Sequence, residues 1–146
     1  MVTILAELFT NNIFLSIVVA GGLSQLVKIL IFIFKFKQKF HYNDLIVTGG
    51  MPSTHSALVG SLTTIIWLTQ GLSSLFFVVF VFSMIVLRDT VGVRRSVGEE
   101  GKVIEKIIKF GKLKINDFYY SLGHKFTEMV VGLILGIISA IFVYFL

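Results

Sequence analysis

Gly49-Gly50-Met51-Pro52-Ser53-Thr54-His55-Ser56-Ala57-Leu58-Val59-Gly60-Ser61-Leu62 is the stretch from which the fold can be read. It contains the only proline of the chain, one of three histidines and a group of small hydroxyl residues. Proline suits the first turn of a helix, where its missing N–H would have no partner anyway. Ser53 or Thr54 can cap that turn, and Gly49 and Gly50 let the incoming backbone turn tightly. The expected product is a helix N-terminus at a membrane surface, with hydroxyls, amides and an imidazole turned one way. Such an end suits an anion.

The surroundings make this a membrane helix. Of 146 residues, 55% are hydrophobic, more apolar surface than a soluble chain of this length ordinarily carries, so an integral membrane protein of one domain, residues 1–146, is expected. No residue from Ser56 to Leu87 is charged. That run is too long for one span, and Gln70-Gly71 near its middle marks a turn, so it reads as a helical hairpin whose halves are each short for a core of about 30 Å. Gly60, Ser61, Thr63 and Thr64 allow helices to pack closely.

Upstream, Ile13 to Phe34 is long enough to span. Gly21, Gln25 and Lys28 are spaced to share a face. A lysine at that depth either faces protein or water in a functional role or snorkels to the interface. Lys35 stands two turns further on the same face. Residues 35–48 form a basic connector in which His41 reads as a solvated loop residue, and residues 1–12 are assigned no more than a short surface helix.

Downstream, residues 88–123 are the large polar segment. Within it, Glu99 to Phe110 sets Val103, Ile104, Ile107 and Ile108 against Lys102, Glu105, Lys106 and Lys109. That is an amphipathic helix, lying either in the membrane interface or packed on the loop. The last span begins at His124 or Phe126 and runs to Leu146, with Gly132 and Gly136 on one packing face. The expected architecture is an all-α membrane bundle of about four transmembrane helices plus an interfacial helix.

With four crossings, all thirteen Lys and Arg residues fall at or near one side. The positive-inside rule makes that side cytoplasmic, with both termini opposite. The formal charge of +5 then suits anionic lipid headgroups or a phosphorylated substrate, rather than nucleic acid. There is no cysteine, which excludes disulfides and thiolate metal sites. No removed signal peptide is read at the N-terminus.

The same face collects Lys28, Lys35, His55, Arg94, Arg95 and His124. His124 and Glu128, at i and i+4 in the first turn of the last helix, can meet. A carboxylate on one ring nitrogen fixes the tautomer and frees the other as base or nucleophile. His55 supplies a second imidazole for acid–base work, and the cations can hold an anion and offset developing charge. This set suits phosphoryl transfer without a metal. A metal on the histidines with Asp89, Glu99 and Glu100 is the rival use, but no pair has tight ligand spacing and the neighbouring cations oppose it.

Three blocks resemble the divergent branch of the phosphatidic acid phosphatase type 2 (PAP2) superfamily, which includes acid phosphatases and vanadium haloperoxidases. They are Gly49–Ser56, then Arg88-Asp89-x4-Arg94-Arg95, then Leu122-Gly123-His124-x3-Glu128-x3-Gly132. The superfamily's first motif, Lys-x6-Arg-Pro, is matched in spacing by Lys28-x6-Lys35-Phe36. Its second, Pro-Ser-Gly-His, is matched by Pro52-Ser53-Thr54-His55. Its third, Ser-Arg-x5-His-x3-Asp, keeps its end as His124-x3-Glu128 but has Asp117 and Phe118 in place of Ser-Arg. The resemblance implies that His124 attacks phosphorus, Glu128 orients it and His55 protonates the leaving alkoxide. Lys28, Lys35, Ser53, Thr54 and Arg94 or Arg95 would bind the phosphoryl oxygens, with Asp89, Gly50 and Pro52 in support. No cofactor is implied. The substrate class implied is a lipid or prenyl phosphate, such as phosphatidic acid or phosphatidylglycerophosphate, met at the cytoplasmic face. A non-catalytic lipid-phosphate binder or transport component is the alternative. A homo-oligomer is compatible with this reading.

Overall fold

A computed structural model describes residues 7–36, 50–112 and 123–146. Gly49, His41, Asp117, Phe118 and Leu122, named above, lie outside the described residues, as does the side chain of Lys35. Every regular element among the described residues is helical. After a helical turn at residues 7–10, these are in chain order α1 (Asn12–Phe36), α2 (Thr54–Gln70), α3 (Ser74–Val91), α4 (Val93–Phe110) and α5 (Phe126–Tyr144).

Three helical stretches are long and apolar enough to cross a membrane: Asn12–Ile31, Ser74–Phe110 and Phe126–Tyr144. The expected fourth, α2, has 17 residues and is about 25 Å long, short of a hydrocarbon core of about 30 Å. It is also the most enclosed helix. It packs most extensively on α5, then on α1 and α3, and buries Ser56, Ala57, Val59, Gly60, Ser61, Ile65 and Ile66. Spans facing lipid need apolar surfaces, whereas an enclosed helix needs small ones. The composition of α2 follows from that place.

The α2–α5 contact is backbone against backbone. A Cβ on Gly132 would overlap the Ser53 carbonyl oxygen, and one on Gly136 would overlap that of Ala57. The small-residue face expected on the last helix is therefore the seam of the bundle. On α1 the buried line is Ser16, Ala20 and Ser24, each four residues on, leading to the half-buried Lys28. The Gly21–Gln25–Lys28 face expected from the spacing lies beside this line, and all three residues are partly buried. The line exists because serine hydroxyls cross to α2: Ser16 meets Ser61, and Ser24 Oγ donates to Thr54 Oγ1 at 3.1 Å. In lipid such bonds satisfy groups that water cannot reach. The apolar core of Ile65, Ile66 and Ala140, flanked by Ile13, Leu62, Phe76 and Val79, lies toward the other end of α2.

Two boundaries differ from expectation. Pro52 precedes the cap instead of occupying the first turn: Ser53 is the N-cap, and its Oγ accepts from Ser56 N. The amphipathic helix starts at Val93, six residues before Glu99, because Gly92 alone separates it from α3. Val93 and Val97 extend the stripe of Ile104 and Ile107, and all four are exposed. The opposite side of α4 buries Gly98 and Gly101.

Candidate functional site

The site forms where the chain enters α5. Lys125 is the N-cap, so His124 stands just outside the helix, not within its first turn as expected. Its backbone N–H donates to Thr90 O at 3.3 Å. Gly123 lies so close to the first turn of α4 that a Cβ there would overlap the Arg95 nitrogen. Residues 123–124 therefore seat in the elbow that Gly92 makes between α3 and α4. Only glycine permits that approach.

Glu128, in the first turn of α5, reaches back over this segment. Its Oε2 lies 3.1 Å from His124 Nδ1 and accepts the Lys125 N–H at 3.1 Å. The second contact is half of a capping box, and a carboxylate is favoured at a helix N-terminus. A carboxylate only accepts, so Nδ1 is the ring donor in this contact, and in the neutral imidazole Nε2 keeps its lone pair. His124 is 6% exposed. The Glu128 carbonyl oxygen accepts Ser53 N–H at 3.0 Å. The two segments that carry the histidines are thus joined through the main chain.

Beside His124 lies a cavity of about 160 Å³, where about 10–15 Å³ suffices for one water. Arg95, Lys102 and Lys125 bring positive charge to it, Glu99 and Glu128 negative charge, and Gly50, Gly98 and Gly123 close the walls. Gly50 has φ +80°, the left-handed conformation that glycine adopts freely.

Other expected residues do not line this cavity. Lys28 Nζ donates to Thr54 Oγ1 at 3.3 Å, so Lys28 faces protein. Ser53 is fully buried, and its Oγ also accepts from the Ser56 hydroxyl at 3.0 Å. Both hydroxyls are committed to local structure. Arg94 pairs with Asp89 at 2.7 Å, leaving Arg95 as the arginine at the cavity. His55 is exposed in the first turn of α2, ahead of the apolar run. Partial burial holds its imidazole below the ordinary value, and Arg94, His124 in its protonated form and Lys28 add to this against Asp89. The charges of α1, α2, α3, α4 and the α5 entrance therefore act on one another at one end of the bundle.

Lys102, Lys125, Ser24 and Thr90 were missed. Lys102 could have been found, because it lies seven residues after Arg95 with Gly98 between, all on one helical face. Thr90 acts through its backbone and gave no signal. Among the described residues, no three His, Asp or Glu side chains group as metal ligands.

An all-helical membrane bundle with an imidazole–carboxylate pair at one end defines the class. The sequence pattern of the Divergent PAP2 family matches residues 9–139, and the chain belongs to that family. It is also 36% identical over 156 aligned positions to the uncharacterized membrane protein YuiD of Bacillus subtilis (strain 168), covering 95% of this chain and 98% of that one. No solved structure matches the chain.

Proposed function

We propose that this protein is a metal-independent membrane phosphatase for a lipid or prenyl phosphate monoester or pyrophosphate, with its site on the cytoplasmic face and both termini opposite. The observation that carries the reading is the His124 Nδ1–Glu128 contact at 3.1 Å beside a cavity holding Arg95, Lys102 and Lys125. His124 Nε2 attacks phosphorus, and the P–O bond to the leaving group breaks. Protonated His55 gives its proton to the departing oxygen. Neutral His55 then takes a proton from water, whose oxygen attacks the phosphohistidine and releases phosphate. Glu128 supports the imidazolium character that develops on His124. The cations at the cavity offset charge on the phosphoryl oxygens.

The second reading is a lipid-phosphate binder or transport component without turnover. It is favoured by Phe118 in place of the third-motif arginine and by the engagement of Arg94 with Asp89. One experiment separates the two: phosphate release by purified protein with EDTA present, over a panel of lipid and prenyl phosphates, beside His124→Ala. Release from one substrate, falling by at least about a thousandfold in the variant, is expected from loss of a nucleophile. Binding without release from any substrate would select the second reading.

A further inference from the structure

We infer that Lys102 on α4 is a phosphoryl-binding side chain of this site, acting with Arg95 where the third motif lacks its arginine, and that Glu99 competes with the bound anion for it. This rests on the reading of the cavity as a phosphoryl site.

Three observations converge on Lys102. The first is placement. Arg95, Gly98 and Lys102 fall at i, i+3 and i+7, one face of α4, and all three line the cavity beside His124. Gly98 is buried and has no side chain, so the space between the two cations stays open. The exposed apolar residues Val93, Val97, Ile104 and Ile107 occupy the opposite side of the helix. That stripe fixes which side of α4 turns toward the site.

The second observation is how loosely Lys102 is held. Its partner Glu99 is 3.6 Å away, with side chains 47% and 60% exposed. The pairs of Lys109 with Glu105 at 2.6 Å and Arg94 with Asp89 at 2.7 Å are at full charge-assisted hydrogen-bond distance. A solvated pair as long as that of Lys102 contributes little, so its ammonium can turn to an anion at small cost. The third is Glu99 itself, a carboxylate lining the same cavity. It opposes an incoming phosphoryl group while it attracts Lys102.

The test is direct binding of inorganic phosphate to the purified full chain in detergent, by titration calorimetry near pH 7. It uses the wild type and the variants Lys102→Gln, Lys102→Arg, Glu99→Gln and Lys109→Gln. Lys102→Gln is expected to bind about tenfold more weakly, the loss of one charge-assisted hydrogen bond, and Lys102→Arg to recover most of it. Glu99→Gln is expected to bind roughly two- to fivefold more tightly, from removal of a partly screened like charge. Lys109→Gln should match the wild type. Opposite signs for the two partners of one ion pair are not produced by a pair that only stabilises α4. Wild-type affinity in Lys102→Gln, weakening in Glu99→Gln, or no phosphate binding by the wild type would overturn the inference. Binding is read without turnover. A wild type that binds phosphate yet releases none from any substrate would overturn the phosphatase reading and leave Lys102 in place.

Discussion

Partial burial, and then Arg94, His124 in its protonated form and Lys28, disfavour the protonated form of His55 in the free protein against Asp89. A general acid must hold its proton, so kcat/KM, which reports the free enzyme, should fall as pH rises through a value below the ordinary 6.5 of histidine. A bound phosphate dianion works in the opposite direction and should carry the corresponding fall in kcat to higher pH. Arg94→Gln removes a positive neighbour and frees the Asp89 carboxylate, and both raise the imidazole pKa. The alkaline limb of kcat/KM is therefore expected to move up in Arg94→Gln. A limb that stays or moves down would remove His55 as the acid.

Between helices, the decisive contact is α5 on α2. Gly136→Ala places a methyl group against the Ala57 carbonyl oxygen, so the helices must separate or bend, at a cost of about 1–3 kcal/mol by the usual penalty for overpacking. Gly22 on α1 has nothing within 4 Å of where its Cβ would stand, and Gly22→Ala should be neutral or stabilising by roughly 0.5–1 kcal/mol from helix propensity. Thermal unfolding of the two variants in one detergent measures the contrast. Equal midpoints would mean that the seam is not as close as described. The α5 side of this seam was legible in the sequence as two glycines four apart on one packing face, but its partner α2 was not. The Ser53 cap and the pairing of His124 with Glu128, whose spacings are local, were legible too. The extent of α4 was not. Gly92 reads as a terminator in sequence, yet the chain resumes its helix at once, and Val93 and Val97 are too few among Arg94, Arg95 and Ser96 to announce a stripe. Lys102 was legible by its spacing to Arg95 but was passed over, because in a helix read only for its apolar face the residues that build the cavity lie on the other side.

At the scale of the whole molecule, the absence of cysteine makes the expected orientation easy to test. Leu72→Cys, exposed beside the α2–α3 turn, and Lys112→Cys, just after α4, should react with an impermeant maleimide from opposite sides of sealed vesicles. Lys112→Cys should be labelled only from the cytoplasmic side. Labelling of both from one side would mean that the α3 span does not cross between them, and labelling in the reverse sense would move the site to the outside. Three-dimensional arrangement was otherwise least legible here. Hydropathy marks spans by their contact with lipid, and α2, which has the least of it, is the helix about which the others assemble.

The bond from Ser53 N–H to the Glu128 carbonyl has a consequence for the order in which the molecule is made. A growing chain offers its N-terminal part first, so α2 is synthesised, with α1 and α3 to pack beside it, well before α5 leaves the ribosome. Until then the flank of α2 that carries Ser53 and Ala57 has lipid or translocation machinery for a neighbour. The amide of Ser53 has no mate, and neither His124 nor its carboxylate exists. In the proposed phosphatase, the helix that closes the bundle against α2 also brings the nucleophile at its entrance, so closing the seam and assembling the site would be one event.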